Sequence, residues 1–181
     1  MKAMAIDTNQ FVDKAKNVKA FLLDVDGVMT DGGLYVGEKG EILKRFHTLD
    51  GHGLKLLKMA DIEPVVITGR DSAALRQRLT ELGITLACFG VDDKYQAAQD
   101  CLNKLHLNWS QVAAMGDDWP DLPMLMPAAI SFAPAQSHVE VLKRVHHVCA
   151  APAGNGAVRE ACDSVLQATG HYQALLNKWL V

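Results

Sequence analysis

Short apolar segments alternate with amphipathic segments along most of this 181-residue chain. This alternation is typical of a parallel sheet covered by helices on both faces, because parallel strands must be joined by crossover connections. The sequence predicts strands at about residues 19–25, 63–68, 85–89, 111–115, 129–132 and 146–148. It predicts helices at about residues 53–60, 72–82, 94–105, 122–126, 137–144 and 157–168. We therefore predict an α/β, Rossmann-like fold, formed as one domain over residues 1–181.

Two segments depart from this alternation. Residues 33–46 contain two short β-rich runs around a glycine-bracketed turn, which predicts a β-hairpin. The hairpin follows the first strand directly, so it should project over the end of the sheet where ligands bind in such folds. The tail, at about residues 171–181, predicts a short amphipathic helix that could pack on the core or on another subunit.

Composition and charge exclude several classes of protein. Hydrophobic residues make up 49% and charged residues 22% of the chain, and the net charge of −3 indicates neither nucleic acid nor an anionic membrane as partner. The N-terminal segment carries Asp7 and Asp13 and does not resemble a signal peptide, so we expect a cytoplasmic protein. The widely spaced cysteines are expected to be reduced structural thiols, not zinc ligands. They are Cys88, Cys101, Cys149 and Cys162.

The first predicted strand ends in two carboxylates, Asp24 and Asp26. Strand alternation places both side chains on the same side of the sheet. Two carboxylates crowded at the edge of an apolar sheet repel each other, so either one is protonated or both share a cation. A strand that simply meets a polar turn at Gly27 is the alternative interpretation.

Other predicted strands also lead into polar or charged groups. Because ligands bind at the carboxyl ends of parallel strands, we expect these groups to converge. Carboxylates, a hydroxyl group and cations are what phosphoryl transfer requires, and carboxylates suit Mg²⁺. Taken singly, the threonine could simply precede a helix and the lysine could lie on the surface. The groups are Thr68, Gly69, Arg70, Lys94 and Asp117.

These segments resemble the four motifs of the haloacid dehalogenase (HAD) superfamily. The matching stretches are DVDGVMTD at residues 24–31, TGR at 68–70, the isolated Lys94 and GDDWPD at 116–121. The resemblance implies that Asp24 is a nucleophile that forms an aspartyl-phosphate and that Asp26 is the general acid and then the general base. Because the dehalogenase branch lacks the second aspartate, phosphate chemistry is favoured.

The same resemblance implies roles for further residues. Thr68 and Lys94 would act in catalysis, and Asp26, Gly69 and Lys94 would also bind the substrate. Mg²⁺ would be held by Asp24, Asp117 and the Asp26 backbone carbonyl. Asp121 would orient Lys94. Asp118 would not bind the metal itself but would act on the groups that do.

Many members of the superfamily carry a cap domain, but this chain has only the hairpin in its place. It resembles a capless branch of sugar-phosphate phosphatases that are homotetramers, in which neighbouring subunits cover the active site. The resemblance implies hydrolysis of an eight-carbon octulosonate 8-phosphate in lipopolysaccharide precursor synthesis. A nine-carbon nonulosonate 9-phosphate stays open as the substrate.

An acidic sugar phosphate needs cations for its carboxylate as well as for its phosphate. Arg70 is the best candidate for the carboxylate, because a guanidinium group binds carboxylates bidentately. Lys55 and Arg78 could assist, or they could be solvated helix charges. The residues that follow the hairpin and could bind sugar hydroxyls are Thr48, Asp50 and Gly51. The loop at residues 154–159 could reach a site in the same or an adjacent subunit, or simply start a helix.

A phospho-receiver signalling module is an alternative from another class, since it also uses carboxylates, Mg²⁺, a threonine and a lysine. Such a module needs a phosphoacceptor aspartate at the end of a middle strand, where this chain has Thr68. A calcium-binding loop at residues 24–35 is excluded, because Val28 occupies a ligand position and no glutamate stands at the twelfth.

Overall fold

The computed structural model describes residues 7–38 and 40–180. The strands are β1 (Ala20–Leu23), β2 (Tyr35–Gly37), β3 (Gly40–Leu43), β4 (Glu63–Ile67), β5 (Ala87–Cys88), β6 (Val112–Met115), β7 (Ile130–Ala133) and β8 (His147–Val148). Six of them form one sheet in the order β5-β4-β1-β6-β7-β8, and every neighbouring pair is parallel. β2 and β3 form a separate antiparallel hairpin.

Helices cover both faces of this sheet. They are α1 (Thr8–Ala15), α2 (Thr48–Met59), α3 (Ala73–Leu82), α4 (Lys94–Leu105), α5 (Leu122–Leu125), α6 (Val139–Leu142), α7 (Ala157–Ala168) and α8 (Tyr172–Asn177). Short 3₁₀ helices span Trp109–Gln111 and Trp119–Asp121. Within the described residues, no helix combines the length and the apolar character that crossing a membrane requires.

Alternate residues of the central strand enter two different hydrophobic cores. Phe21 and Leu23 of β1 pack with residues of α2, α3 and α7 on one face. Ala20 and Leu22 pack with residues of α4 and α5 on the other. All four are fully buried, which is expected of a parallel strand with helices on both sides. The predicted α/β, Rossmann-like fold is confirmed.

The hairpin lies within the predicted segment 33–46, and α8 lies within the predicted tail. Ser72 caps α3 at its N-terminus, and Gly83 ends that helix with a φ of 67°, close to the predicted bounds of 72–82. The prediction of one domain over 1–181 includes residues 1–6, Lys39 and Val181, which lie outside the described residues.

Three helix predictions were wrong in extent or missing. α2 begins at Thr48 instead of about residue 53. Its glycines allow close packing against α7, since a Cβ on Gly53 would lie only 3.1 Å from Cys162 Cβ. Tertiary contact therefore overrides the low helix propensity of glycine. α6 is a single turn within the predicted 137–144, and α1 was not predicted.

Candidate active site

The carboxyl ends of four neighbouring strands bring the predicted residues together. Asp24 follows β1, Thr68 follows β4 and Asp117 follows β6, while Lys94 opens α4 after β5. These residues line an open cavity of about 350 Å³, within the usual range of about 300–1,000 Å³ for small-molecule sites. The full lining is Asp24, Asp26, Thr68, Gly69, Arg70, Val91, Asp92, Lys94, Asp117, Asp118, Pro120 and Asp121.

Lys94 is buried between two carboxylates. Its Nζ lies 2.5 Å from Asp24 Oδ1 and 2.6 Å from Asp121 Oδ1. The other oxygen of Asp121 accepts hydrogen bonds from the backbone N–H groups of Asp117 (2.8 Å) and Asp118 (3.2 Å). Both oxygens of Asp121 are therefore engaged within the protein, and this residue holds the Lys94 ammonium in place.

Burial and mutual repulsion shift the protonation equilibria of this cluster. Burial raises the pKa of Asp24 to about 6, and Asp121 adds to the rise while Lys94 opposes it. Burial also raises the pKa of Asp117 to about 7, with further contributions from Asp121 and Asp24. Burial opposes the charge of Lys94, but the two carboxylates beside it raise its pKa. The single positive charge of Lys94 does not balance the three carboxylates around it, so the desolvated site carries excess negative charge.

The donor set fits a hard divalent cation. Asp24, Asp117 and Asp121 place carboxylate oxygens within 4.8 Å of one another. Because both oxygens of Asp121 are engaged by Lys94 and backbone N–H groups, Asp24 and Asp117 are the carboxylates best placed to bind the cation. Gly27 makes this crowding possible, since its φ is 91° and a Cβ there would lie 2.2 Å from Asp117 Oδ2. Carboxylate oxygens are ligands that Mg²⁺ prefers. The Asp26 carbonyl as a further ligand stays a prediction.

A second cavity of about 580 Å³ adjoins the first and shares Asp26 and Asp117 with it. The sequence did not identify its polar residues, because they come from segments that meet only in the folded chain. The same is true of Lys44, which follows β3 and forms an ion pair with Asp26. The only local signal was the charge of the hairpin itself. The polar residues of the second cavity that were missed are Asp31, Arg45, Gln136 and Ser137.

The loop before α7 reaches this second cavity in its own chain. Gly154 N–H donates to Val28 O at 3.1 Å. The φ of Gly154 is 60°, and a Cβ there would lie 2.5 Å from the backbone of Thr30, so the two loops pack without an intervening side chain. Asn155 consequently lines the cavity. The first part of the loop thus lines the second cavity of its own chain, and its reach into an adjacent subunit stays a prediction.

Five predicted substrate-binding residues line neither cavity in the described part of one chain: Thr48, Asp50, Gly51, Lys55 and Arg78. Asp50 is 2% exposed, and its carboxylate accepts from Arg159 N (2.9 Å) and Gly156 N (3.3 Å). Arg78 Nη2 donates to His47 O at 3.4 Å. Sugar binding by these five residues therefore stays a prediction.

Asp118 is exposed, and its side chain accepts from Trp119 N at the start of a 3₁₀ helix. All four cysteines are free. Cys149 lies beside His147 and Glu160, with one potential ligand atom of each within 4.8 Å of the others. The Glu160 carboxylate already accepts two backbone hydrogen bonds, from residues 150 and 151.

Comparison with known proteins agrees with the motifs. Residues 89–160 match the family model of the haloacid dehalogenase-like hydrolases. A relative is 43% identical to this chain over 157 residues, which cover 87% of each protein. The chain therefore belongs to the haloacid dehalogenase-like hydrolases, and it is a phosphatase, an enzyme that hydrolyses phosphoric monoesters. That relative is the 3-deoxy-D-manno-octulosonate 8-phosphate phosphatase KdsC of Haemophilus influenzae.

Solved structures lead to the same group. The 3-deoxy-D-manno-octulosonate 8-phosphate phosphatase of Moraxella catarrhalis, in complex with magnesium, phosphate and KDO, superposes with a TM-score of 0.90. It is 35% identical, and the match covers 96% of this chain and 99% of that one. The cobalt-bound Haemophilus influenzae enzyme gives 0.89 at 40% identity, with 93% and 99% covered. The carboxylate cluster of this chain suits a divalent metal.

Proposed function

We propose that this phosphatase hydrolyses 3-deoxy-D-manno-octulosonate 8-phosphate to the free sugar acid and phosphate, as a step in lipopolysaccharide precursor synthesis. The observation that carries the proposal is the buried pair of Asp24 and Lys94 beside Asp26, at the junction of two cavities. The names of the relatives support this choice of substrate. A nonulosonate 9-phosphate is the alternative within the same class.

In this proposal Asp24 is the nucleophile and Asp26 transfers the proton. A carboxylate oxygen of Asp24 attacks phosphorus, the ester bond breaks, and the leaving oxygen takes a proton from Asp26. Asp26, now ionised, removes a proton from the water that hydrolyses the aspartyl-phosphate, which releases phosphate and restores both carboxyl groups. Lys94 holds Asp24 by Oδ1 throughout, and its charge favours the ionised nucleophile.

Mg²⁺ would be held by Asp24, Asp117 and the backbone carbonyl of Asp26, where it would neutralise negative charge on the phosphate. Thr68 and Gly69, at the end of β4, would donate hydrogen bonds to the phosphate oxygens. Arg70 lines the same cavity with a side chain that is 54% exposed, so it is free to turn towards the carboxylate of the sugar acid.

We also propose that the enzyme is a cytoplasmic homotetramer in which neighbouring subunits cover the site. Apolar side chains of the hairpin support this, because they are exposed in one chain. The residues are Leu34, Tyr35, Val36, Ile42 and Leu43. A neighbouring subunit would also give a partner to Thr48 and Lys55, which are exposed and line neither cavity of their own chain.

A phosphate-release assay tests the function. We expect the highest kcat/KM with octulosonate 8-phosphate in Mg²⁺, and a loss of at least about 10³-fold after chelation of the metal or in Asp24→Asn. Asp61→Asn, at an exposed position, is the matched control and should retain activity. Preference for nonulosonate 9-phosphate would overturn the substrate assignment. Stable phosphorylation without turnover would favour a receiver module instead.

A further inference from the structure

Lys44 of the hairpin is buried against Asp26. Its side chain is 1% exposed, and its Nζ contacts Asp26 Oδ1 and, at 3.0 Å, Glu41 Oε2. An ammonium group is rarely buried without anions nearby, and here the carboxylates of Asp26 and Glu41 both contact it. The contact with Asp26 joins positions 18 residues apart, and so connects the hairpin to the loop that follows β1.

The two oxygens of Asp26 have different surroundings. Oδ1 accepts a hydrogen bond from Lys44. Oδ2 is buried, and among residues 7–38 and 40–180 no group donates a hydrogen bond to it; Arg70 Nε lies 3.8 Å away. Because Oδ1 is engaged, Oδ2 is the oxygen that can carry the proton for the leaving group.

The two cations near Asp26, Arg70 and Lys44, also differ in how easily their side chains can move away from it. The Arg70 side chain is 54% exposed and can leave Asp26 to contact a substrate. Lys44 cannot turn away without separating its buried charge from both carboxylates, and Glu41 anchors it from the hairpin side. Lys44 is therefore the partner that remains on Asp26 when the substrate binds.

We propose that Lys44 is a positioning residue for Asp26. It holds Oδ1, and thereby aims Oδ2 at the oxygen of the leaving alcohol. When the ester bond breaks, its electron pair stays on that oxygen, the proton of Asp26 Oδ2 moves to it, and Lys44 stabilises the carboxylate that forms. This inference rests on the proposed function, because it requires Asp26 to transfer the proton.

Leaving groups of different basicity separate this role from a structural one. Phenol is a poorer leaving group than p-nitrophenol and depends more on protonation. We expect Lys44→Met to lower kcat/KM for phenyl phosphate at least about 10-fold more than for p-nitrophenyl phosphate. The ratio kcat/KM is chosen because it reports the step that breaks the ester. Lys44→Arg should restore the wild-type ratio, and Lys104→Met, at an exposed lysine of α4, should not change it.

A double variant supplies an independent readout. If Lys44 acts through Asp26, adding Lys44→Met to Asp26→Asn should cost less than about 2-fold more with phenyl phosphate, because residues that act as a unit are not additive. Thermal unfolding checks that each variant is folded; Lys44→Gln replaces Lys44→Met if the latter does not fold.

Equal losses on both phosphates, or a fully additive double variant, would overturn the role of Lys44. The two proposals fail in different ways. If the wild-type protein hydrolyses neither ester in Mg²⁺, the proposed function fails. If it hydrolyses both and Lys44→Met leaves the ratio of the two unchanged, only the positioning role is refuted.

Discussion

Asp117 illustrates how a single residue can be unfavourable for folding and still fit the site. Its carboxylate is partly buried beside Asp24 and Asp121, and within the described residues no group donates a hydrogen bond to it. Its pKa is raised to about 7 from an ordinary value of 3.8, first by burial and then by these neighbours. The folded metal-free protein therefore binds a proton at Asp117 more tightly than the unfolded chain does.

The sign of the resulting stability change follows from linkage. Because the folded-state pKa is the higher one, the stability that Asp117 contributes at low pH is lost as pH rises from about 4 to about 7. Asn does not titrate, so Asp117→Asn should stabilise the metal-free protein by about 1–3 kcal/mol at pH 8 and by little at pH 4.5. Urea denaturation in EDTA at both pH values measures this.

Addition of Mg²⁺ provides the control for the same residue. An ion that binds only the folded state stabilises that state by mass action. Mg²⁺ should therefore raise the stability of the wild-type protein but not that of Asp117→Asn, which lacks a proposed ligand of the metal. Asp100→Asn, at an exposed position on α4, should behave like the wild type. Destabilisation by Asp117→Asn in EDTA at pH 8 would contradict the repulsion described above.

At the scale of elements, α2 and α7 are joined by a buried polar contact as well as by apolar packing. Asp50, in the first turn of α2, accepts hydrogen bonds from Gly156 N and Arg159 N at the start of α7. Burial raises the pKa of Asp50, although both N–H groups and nearby cations favour its charged form. A carboxylate at a helix N-terminus is also favoured by the helix dipole. Asp50 thus fixes where α7 begins.

Asp50→Asn should therefore weaken this connection. The amide keeps one acceptor oxygen but turns an NH₂ group towards the second backbone N–H, which leaves a buried donor unsatisfied. We expect a loss of about 1–3 kcal/mol in the free energy of unfolding, measured by urea denaturation. Asp61→Asn is exposed at a positive φ of 56°, where Asn is well tolerated, and should be neutral. An unchanged midpoint for Asp50→Asn would refute the account.

The contrast between Asp50 and Asp24 shows how far the sequence could predict this protein. Asp24 lies at the end of an apolar strand, so local pattern and the geometry of parallel sheets were enough to predict its position. The partners of Asp50 lie more than a hundred residues away along the chain, and no local pattern encodes such a contact. Lys44 was missed because its contact with Asp26, 18 residues away, forms only when the hairpin folds back onto the loop after β1. The glycines of α2 concealed its first turn, because their packing against α7 is visible only in three dimensions.

At the scale of the whole molecule, the hairpin has two unlike sides. One side places Lys44 on Asp26, while Val36 and Ile42 are 68% and 65% exposed. Adjacent apolar side chains on an exposed hairpin are typical of an interface, since a monomer would leave them in water. The two cavities are also open, and selectivity for a sugar acid requires walls. A neighbouring hairpin could supply them, which is why we expect the assembly and the substrate selectivity to change together.

The double variant Val36→Asp/Ile42→Asp should separate the subunits of the proposed homotetramer. Placing four pairs of carboxylates in apolar contacts carries a desolvation cost that hairpin contacts cannot offset. Light scattering after size-exclusion chromatography should give four chain masses for the wild type and one for the variant. Val12→Asp, on the exposed side of α1, should leave the mass unchanged.

The same double variant should also lose substrate selectivity. We expect its kcat/KM for octulosonate 8-phosphate to fall at least about 10-fold, while most activity towards p-nitrophenyl phosphate is kept. The reason is that only the sugar needs the walls of a neighbouring subunit. A monomeric wild-type protein with full selectivity would contradict the link between assembly and substrate choice.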